Sequence, residues 1–264
     1  MEMIKQLREM TGAGMVDCKK ALDEAGNDLQ KAVEILRKKG IAKAAKRTDR
    51  ETNEGVVKMG VNETGDEGYI FELTSETDFV SRNEKFQSFA DEAMKLALSA
   101  RPETAEAFLA LPMADSTIKE SLEILSGTIG EKMEIRRFGR LQGATLAAYS
   151  HLGGKLGVLI ALDKPGKEEL AVELAMQIAA ANPKYIESSQ VDASELAKER
   201  EIYREQLLKE GKPETMVDKI LEGKVSKYYG EVCLIEQEFI KDDKKKVKDL
   251  LGDTKVLGFF RFSL

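Results

Sequence analysis

The sequence of 264 residues contains no tryptophan, one histidine (His151) and two cysteines, Cys18 and Cys233. A structural zinc site built from cysteine and histidine needs about four ligands close together, and these three residues lie far apart in the sequence. Nucleophilic catalysis with a histidine base would depend on His151 alone. A lone histidine between an apolar strand and a Gly-Gly turn is more often a structural hydrogen-bonding residue. The composition therefore favours no metal ligand set and no catalytic triad.

Long apolar runs are also absent. No stretch approaches the roughly 18 apolar residues that a membrane-spanning helix needs. The N-terminal residues 1–10 carry acidic side chains and lack the apolar core of a signal peptide. Two isolated cysteines fit a reducing compartment. We therefore expect a soluble, cytoplasmic protein that makes no membrane contact.

Neither sign of charge is concentrated in one region. The 41 Lys and Arg residues are interspersed with 47 Asp and Glu residues, and the net charge is −6 at pH 7. Nucleic-acid binding needs a concentrated basic surface, so no direct nucleic-acid partner is expected. The Gly-rich segment 12–14 lacks the Lys-Ser/Thr of a phosphate-binding loop, so this segment is not expected to bind phosphate.

The N-terminal region has helical periodicity. Apolar residues recur at helical spacing in three short segments of residues 1–40, with Asn27 as the expected N-cap of the third helix and Gly40 as its expected end. This pattern predicts a small three-helix bundle. Residues 41–54, which are rich in Ala, Lys and Arg and then polar, are interpreted as a linker.

From Gly55 onward the apolar spacing becomes strand-like, and the order strand, strand, helix occurs twice, in 55–140 and again from 141 to 190. Gly68 aligns with Gly157, 89 positions later, whereas the following helices align at an offset of 81. The first copy therefore carries about 8 more residues between strand and helix. The sequence predicts an α+β fold with two related α/β subdomains and antiparallel strands.

Residues 191–229 interrupt the second copy. Two highly charged segments with narrow apolar stripes are separated by Gly211-Lys212-Pro213, a pattern typical of an antiparallel coiled-coil hairpin. The second subdomain is expected to resume at 230–264, with strands at 231–239 and 256–262. The last of these strands is expected to complete its sheet.

The extra residues of the first copy include Thr77, Asp78, Phe79 and Val80, which place two apolar side chains in a polar connection. One interpretation is a hydrophobic staple, in which Phe79 or Val80 packs back on the next helix. The other is an exposed aromatic anchor for a partner, beside an acidic residue. The residues alone favour the staple and leave both alternatives open.

Two long motifs resemble bacterial elongation factor Ts. The segment 7–22 (LREMTGAGMVDCKKAL) is similar to the N-terminal signature of that family, and 72–82 (ELTSETDFVSR) to its second signature. The likeness continues through 129–131 and His151 to 258–262. It covers essentially the whole chain.

This resemblance implies a non-enzymatic guanine-nucleotide exchange factor for elongation factor Tu, with an N-terminal bundle of the UBA-like type (related to ubiquitin-associated domains). It implies no cofactor for the chain itself, because the partner binds the GDP or GTP and the Mg²⁺. The loop Thr77–Val80 would disturb the Mg²⁺ and phosphate site of the partner. Further partner contacts that it implies are Met15, Lys19, Ile129, Gly130 and His151. Some members continue beyond the position of Leu264, so a contact made by that segment is expected to be missing. A binding module without exchange activity and an enzyme using His151 are the alternatives.

Overall fold

The computed structural model describes all 264 residues. Its chain contains eleven helices and ten strands. The N-terminal bundle consists of α1 (Glu2–Thr11), α2 (Met15–Glu24) and α3 (Leu29–Ala45). The first core unit consists of β1 (Glu54–Val61), β2 (Glu67–Ser75), α4 (Asp78–Ser81), α5 (Glu84–Ala100), α6 (Ala105–Leu109), β3 (Pro112–Met113), β4 (Ser116–Thr117), α7 (Ile118–Ile129) and β5 (Met133–Gln142).

The second core unit contains an inserted pair of long helices. Its elements are β6 (Thr145–His151), β7 (Leu156–Leu162), α8 (Glu168–Ala181), α9 (Ala193–Lys209), α10 (Glu214–Val232), β8 (Glu238–Phe239), β9 (Asp242–Lys246), α11 (Val247–Leu251) and β10 (Val256–Ser263). Short 3-10 turns lie at Leu152–Gly154, Ser188–Gln190 and Leu234–Glu236. N-terminal helices followed by antiparallel sheets confirm the α+β class.

The three helices of the bundle enclose a small core of six buried residues. Its members are Leu7, Ala13, Cys18, Ala21, Leu22 and Ala32. Helix α2 ends in a Schellman motif, because Gly26 adopts φ 62° and the N–H of Asn27 donates to the carbonyl of Leu22 at 2.8 Å. The predicted N-cap of α3 was wrong by one residue. Asp28, not Asn27, is the cap, and its carboxylate accepts from the N–H of Lys31.

Helix α3 does not end at Gly40, as the sequence suggested, but continues to Ala45. Gly40 is buried in the helix where it crosses α7, and a Cβ at Gly127 would overlap its backbone. The glycine therefore permits a close helix–helix approach instead of stopping the helix. The first part of the expected linker is thus helical and joins the bundle to the core.

The two sheets of the core have the same arrangement. In each, an antiparallel hairpin comes first, and a later strand pairs with the second strand of that hairpin, giving the orders β1-β2-β5 and β6-β7-β10. The expected completion of the second sheet by the last strand is confirmed. Helices α5 and α8 cover the outer faces, and their apolar residues belong to the two large core clusters.

The sheets pack face to face through a third cluster that contains Val57, Ile70, Leu146 and Leu159. The middle strands β2 and β7 are buried along their whole length, because the opposite sheet covers one face of each and α5 or α8 covers the other. Each middle strand carries a glycine at the contact. A Cβ on Gly68 would lie 2.8 Å from Leu159 Cδ1 and 3.0 Å from Leu146 Cδ2. A Cβ on Gly157 would lie 2.6 Å from Val57 Cγ1.

Two acidic residues lie on the buried strand β2. Glu72 is fully buried and pairs with Arg136 and Arg137 of β5. Glu67 is also buried and accepts hydrogen bonds from the Tyr69 hydroxyl and the Arg140 guanidinium. Burial alone raises the pKa of the Glu67 carboxyl, but these hydrogen bonds outweigh that effect and lower it. Each buried charge is therefore compensated by an arginine, as burial of a carboxylate requires.

Helices α9 and α10 form an antiparallel hairpin. Leu207, Val217 and Leu221 are buried between them, and Arg200 bonds Glu222 at 2.5 Å across the pair. The predicted strand at 231–239 was wrong. Helix α10 runs to Val232, because Tyr228 and Val232 continue its apolar face onto a small cluster at the base of the hairpin.

At that base the carboxylate of Glu195 accepts three hydrogen bonds. The Tyr185 hydroxyl donates at 2.5 Å, the Tyr228 hydroxyl at 2.7 Å and the Lys184 ammonium at 3.3 Å. The tyrosine bonds, with the lysine, lower the pKa of the Glu195 carboxyl to about 2. This residue therefore ties the start of α9 to α10 and to the segment that follows α8.

The contact of α3 with α7 predicts opposite effects for two Gly→Ala substitutions inside helices. Gly127→Ala should destabilise the protein, because the new Cβ would overlap Gly40. Gly223→Ala is the matched control, since a Cβ there meets nothing within 4 Å, and it should stabilise by about 0.5–1 kcal/mol. Urea unfolding of both variants measures the difference. Equal stabilisation by both would contradict the close approach.

The Glu195 hydrogen bonds predict an acid-dependent contribution to stability. A pKa that is lower in the folded than in the unfolded state gives stability that is fully present above pH 4.5 and is lost as the pH falls toward 2. Glu195→Gln cannot titrate in this window. Thermal unfolding should therefore show a Tm difference between wild type and variant that is largest at pH 6 and shrinks by pH 3. A constant difference would contradict the assignment.

Candidate partner-binding site

The connection between β2 and α5 contains the four-residue helix α4. So short a helix has no stability of its own in water, because nucleation fixes several residues for very few hydrogen bonds. Neighbouring side chains hold it instead. The Ser75 hydroxyl donates to the carbonyl of Thr77 at 3.0 Å, and the Gln87 amide donates to the carbonyl of Ser81 at 2.6 Å. The second core unit has no corresponding helix between β7 and α8.

Phe79 and Val80 have opposite surroundings, although they are adjacent. Val80 is buried in the same core cluster as Val56 and Phe86, so it makes the inward contact that the staple interpretation required. Phe79 is 84% exposed, and it is the only one of the 16 aromatic residues that is classed as exposed. The two interpretations made from sequence therefore apply to different residues. Val80 packs inward, as the staple interpretation requires, and Phe79 is exposed, as the partner-anchor interpretation requires.

The other two residues of the loop also differ in their surroundings. The side chain of Thr77 does not cap α4. Its hydroxyl donates to Glu131 Oε1 at 2.7 Å, and its backbone N–H donates to Glu131 Oε2 at 3.0 Å. Asp78 is half-buried and forms an ion pair with Arg82 at 3.0 Å. Of the predicted loop residues, Phe79 presents an apolar side chain to solvent, and Asp78 presents a carboxylate whose ion-pair partner is Arg82 on the same surface. These two side chains are the ones that a partner could reach.

Ile129 and Gly130 lie at the C-terminal end of α7, next to this loop. Gly130 has φ 98° and ends the helix, with its N–H donating to the carbonyl of Ser126 at 2.9 Å. The chain then turns so that Glu131 reaches Thr77. The structure thus places Ile129 and Gly130 next to the Thr77–Val80 loop. Glu131 itself was not predicted as a site residue.

His151 ends β6 and begins the tight turn 152–154. Its Nδ1 lies 3.2 Å from the Tyr149 hydroxyl, and the two rings stack with centroids 6.0 Å apart. The turn lies against β1, because a Cβ at Gly154 would approach Val56 Cγ2 at 2.8 Å and Lys155 bonds Glu54 at 3.1 Å. Glu54 pairs with Ser75, directly before the loop.

Leu152, which follows His151, was not predicted as a site residue. It is 69% exposed and adopts φ 51°, an uncommon backbone conformation for a leucine. Strained backbone with an exposed apolar side chain is typical of a functional surface. The apolar residue in a short turn, before two glycines, was the signal that could have identified it.

Met15 and Lys19 lie on α2 of the bundle, and both are exposed. The Gly12 turn before them packs against the Lys85 side chain of α5 and near Thr128 of α7. The start of α2 therefore lies beside the helix ends that carry the loop and Gly130. Exposed apolar side chains near Met15 that the sequence analysis did not single out are Met1, Met10 and Val16.

The side chains that this site exposes are mainly apolar. No group of three or more His, Cys, Asp or Glu side chains is arranged to hold a metal ion. None of the helices combines the length and apolarity needed to cross a bilayer. The exposed apolar side chains of this site, mainly Phe79 and Leu152, can be buried against the surface of another protein.

An exposed aromatic side chain on a braced loop, with further apolar residues beside it, is typical of a protein that acts by binding another protein. The family model described as Elongation factor TS matches residues 76–264. Elongation factor Ts of Chlorobaculum tepidum is 47% identical, over 99% of this chain and 96% of its own length.

Two further relatives have the same printed name. Elongation factor Ts of Chloroherpeton thalassium is 46% identical over 95% of this chain and 90% of its own length. That of Clostridium botulinum is 46% identical over 98% of this chain and 90% of its own length. The chain therefore belongs to the elongation factor Ts family and is a translation elongation factor.

The opposite surroundings of Phe79 and Val80 predict different effects on stability. Val80→Ala removes buried methyl groups and should lower the free energy of unfolding by about 2 kcal/mol. Phe79→Ala should change it by less than about 0.5 kcal/mol, because the side chain is exposed. Urea unfolding of the two variants provides the comparison. Comparable losses for both variants would mean that Phe79 is packed in solution.

Proposed function

We propose that this chain is a guanine-nucleotide exchange factor that binds elongation factor Tu in its GDP form, promotes release of GDP and dissociates when GTP binds. Membership of the elongation factor Ts family supports this function. The single observation that carries it is the 84% exposure of Phe79 on a loop fixed by buried Val80 and by Glu131. An exposed aromatic side chain held in place is suited to insertion into another protein.

In this proposal Asp78 and Phe79 enter the GTPase domain of the partner near its Mg²⁺ and phosphates. The metal is the largest local charge in such a site, so moving its ligands weakens the hold on GDP. Phe79 wedges between partner side chains and shifts them. The chain itself needs no cofactor, because the nucleotide and the Mg²⁺ belong to the partner.

The energy available from Phe79 sets a limit on its part in exchange. Burying one Phe side chain is worth roughly 1.5–3 kcal/mol. About 1.4 kcal/mol corresponds to a factor of ten in affinity. If all the free energy of burying Phe79 opposes GDP binding, the affinity of the partner for GDP falls by about 10- to 150-fold. A tightly held nucleotide needs more than this, so other contacts must supply the remaining free energy.

These other contacts come from the surface around the loop and from the bundle. Ile129, Gly130 and His151 contact the GTPase domain, and exposed Leu152 extends the same surface. Met15 and Lys19 of the bundle, which we propose to be UBA-like, hold the nucleotide-side surface. The second core unit holds a distal β-domain of the partner.

The proposed division of the chain follows from these roles. The bundle, the first core unit and the second core unit act as separate docking parts, and α9 with α10 forms a projecting coiled-coil hairpin. Since elongation factor Tu acts at the ribosome in the cytoplasm, the protein is proposed to work there, without direct nucleic-acid contact.

The direct test is release of fluorescent GDP from purified elongation factor Tu, measured in a stopped-flow instrument. The wild-type protein should accelerate release, and Phe79→Ala should slow the accelerated rate by about 10-fold or more, following the estimate above. Ile202→Ala is the control, because it truncates another exposed apolar residue far along the sequence on α9.

The possible outcomes separate exchange from binding alone. No acceleration by the wild-type protein would overturn the exchange function and leave a binding module. Acceleration that is unchanged in Phe79→Ala would show that the wedge is assigned to the wrong residue. Equal slowing by Ile202→Ala would mean that the effect is not specific to the loop.

A further inference from the structure

The geometry points to Glu131 as a positioning residue for the exchange loop, acting together with Glu76. It does not need to touch the partner. Its carboxylate fixes the start of α4 and thereby the direction in which Phe79 projects. This inference rests on the proposed function and adds to it a residue and a physical mechanism for holding the loop.

Residues 76–77, before α4, and residues 131–132, after α7, are joined by hydrogen bonds in both directions. Glu131 accepts from the backbone N–H and the hydroxyl of Thr77 at 3.0 and 2.7 Å. In the other direction, Glu76 Oε1 accepts from the backbone N–H of Lys132 at 2.6 Å. Each carboxylate therefore bonds backbone of the opposite segment. We call these four residues, Glu76, Thr77, Glu131 and Lys132, the carboxylate clasp.

The loop depends on the clasp because its own helix is too short to hold its shape. Thr77 is the N-cap of α4 but makes no side-chain cap hydrogen bond. A threonine in this position ordinarily caps its own helix, whereas here the hydroxyl donates to Glu131. Without Glu131, both groups of Thr77 would lose their acceptor, and the start of α4 would be free to move.

A second set of bonds links the clasp to the segment that leaves the bundle. Lys132 Nζ donates to the carbonyls of Thr48 and Arg50 at 2.9 and 3.0 Å. The Arg50 guanidinium donates to Glu76 at 3.1 Å. Arg47 donates to the carbonyl of Ser126, near the end of α7, at 3.2 Å. Residues 47–50, which belong to the segment interpreted from sequence as a linker, therefore brace the loop.

These contacts form one continuous path. Helix α3 of the bundle packs on α7 at Gly40 and Gly127, α7 ends next to Glu131, and Glu131 holds Thr77. A partner that grips the bundle therefore binds a body to which the loop is already fixed. Because the loop is ordered in advance, less conformational entropy is lost when Phe79 inserts.

The test uses Glu131→Gln in the full-length protein, which keeps the size of the side chain but removes one of its two acceptors. At saturating protein, release of fluorescent GDP should slow by about 10-fold, the order expected for losing a hydrogen bond to a charged group. Glu123→Gln is the control, since Glu123 lies on α7 and its side chain makes no hydrogen bond or ion pair. It should match the wild type.

A double-mutant cycle separates positioning from a general structural effect. If Glu131 acts through Phe79, Glu131→Gln should have little further effect in a Phe79→Ala background. Thr77→Ser, which keeps the hydroxyl, should behave like the wild type, and Thr77→Val should lose part of the rate. Additive effects of Glu131→Gln and Phe79→Ala would overturn the positioning role.

Hydrogen exchange of the free protein tests the clasp independently of exchange activity. Glu131→Gln should raise amide exchange in residues 77–82 and leave the sheets protected. Unchanged protection of this segment would overturn the clasp even if the wild-type protein accelerates GDP release. If the wild type fails to accelerate release but the segment loses protection, the proposed function fails while the clasp stands.

Discussion

Face-to-face packing of two three-stranded sheets is the contact on which the other parts of the molecule depend. It buries the inner faces of the middle strands β2 and β7, whose outer faces are covered by α5 and α8, and it is possible because Gly68 and Gly157 leave room for side chains of the opposite sheet. The same two glycines align in the internal repeat. The packing also sets the position of the site, because the β2–α5 connection and the turn after β6 meet at one end of β1.

The parts predictable from sequence were those governed by local periodicity. The buried face of α5, the two β-hairpins and the final strand follow directly from apolar spacing of 3.6 or 2 residues. Gly40 was misjudged because its role depends on Gly127, which lies 87 positions away in the sequence. The segment after Gly230 was misjudged because contacts of Tyr228 and Val232 with the base of the hairpin extend α10.

The position of the candidate site could be predicted from sequence, but the contacts that fix the loop in place could not. The motif singled out Thr77–Val80, yet adjacent apolar residues gave no means to tell which one packs inward. In the structure Val80 fills the core and Phe79 faces solvent. The role of Glu131 depends on a hydrogen bond to a residue 54 positions away, and carboxylates are too frequent in this chain for one to be noticed.

If the chain exchanges nucleotide as proposed, its docking and the binding of GDP oppose each other on elongation factor Tu, by equal factors in both directions. The most direct measurement is calorimetric titration of this protein into nucleotide-free and GDP-loaded elongation factor Tu, together with the affinity for GDP in the presence and absence of this protein. GDP should weaken docking by the same factor as docking weakens GDP binding, and Phe79→Ala should reduce that factor. Equal affinity for the nucleotide-free and the GDP-loaded partner would contradict the proposed exchange function.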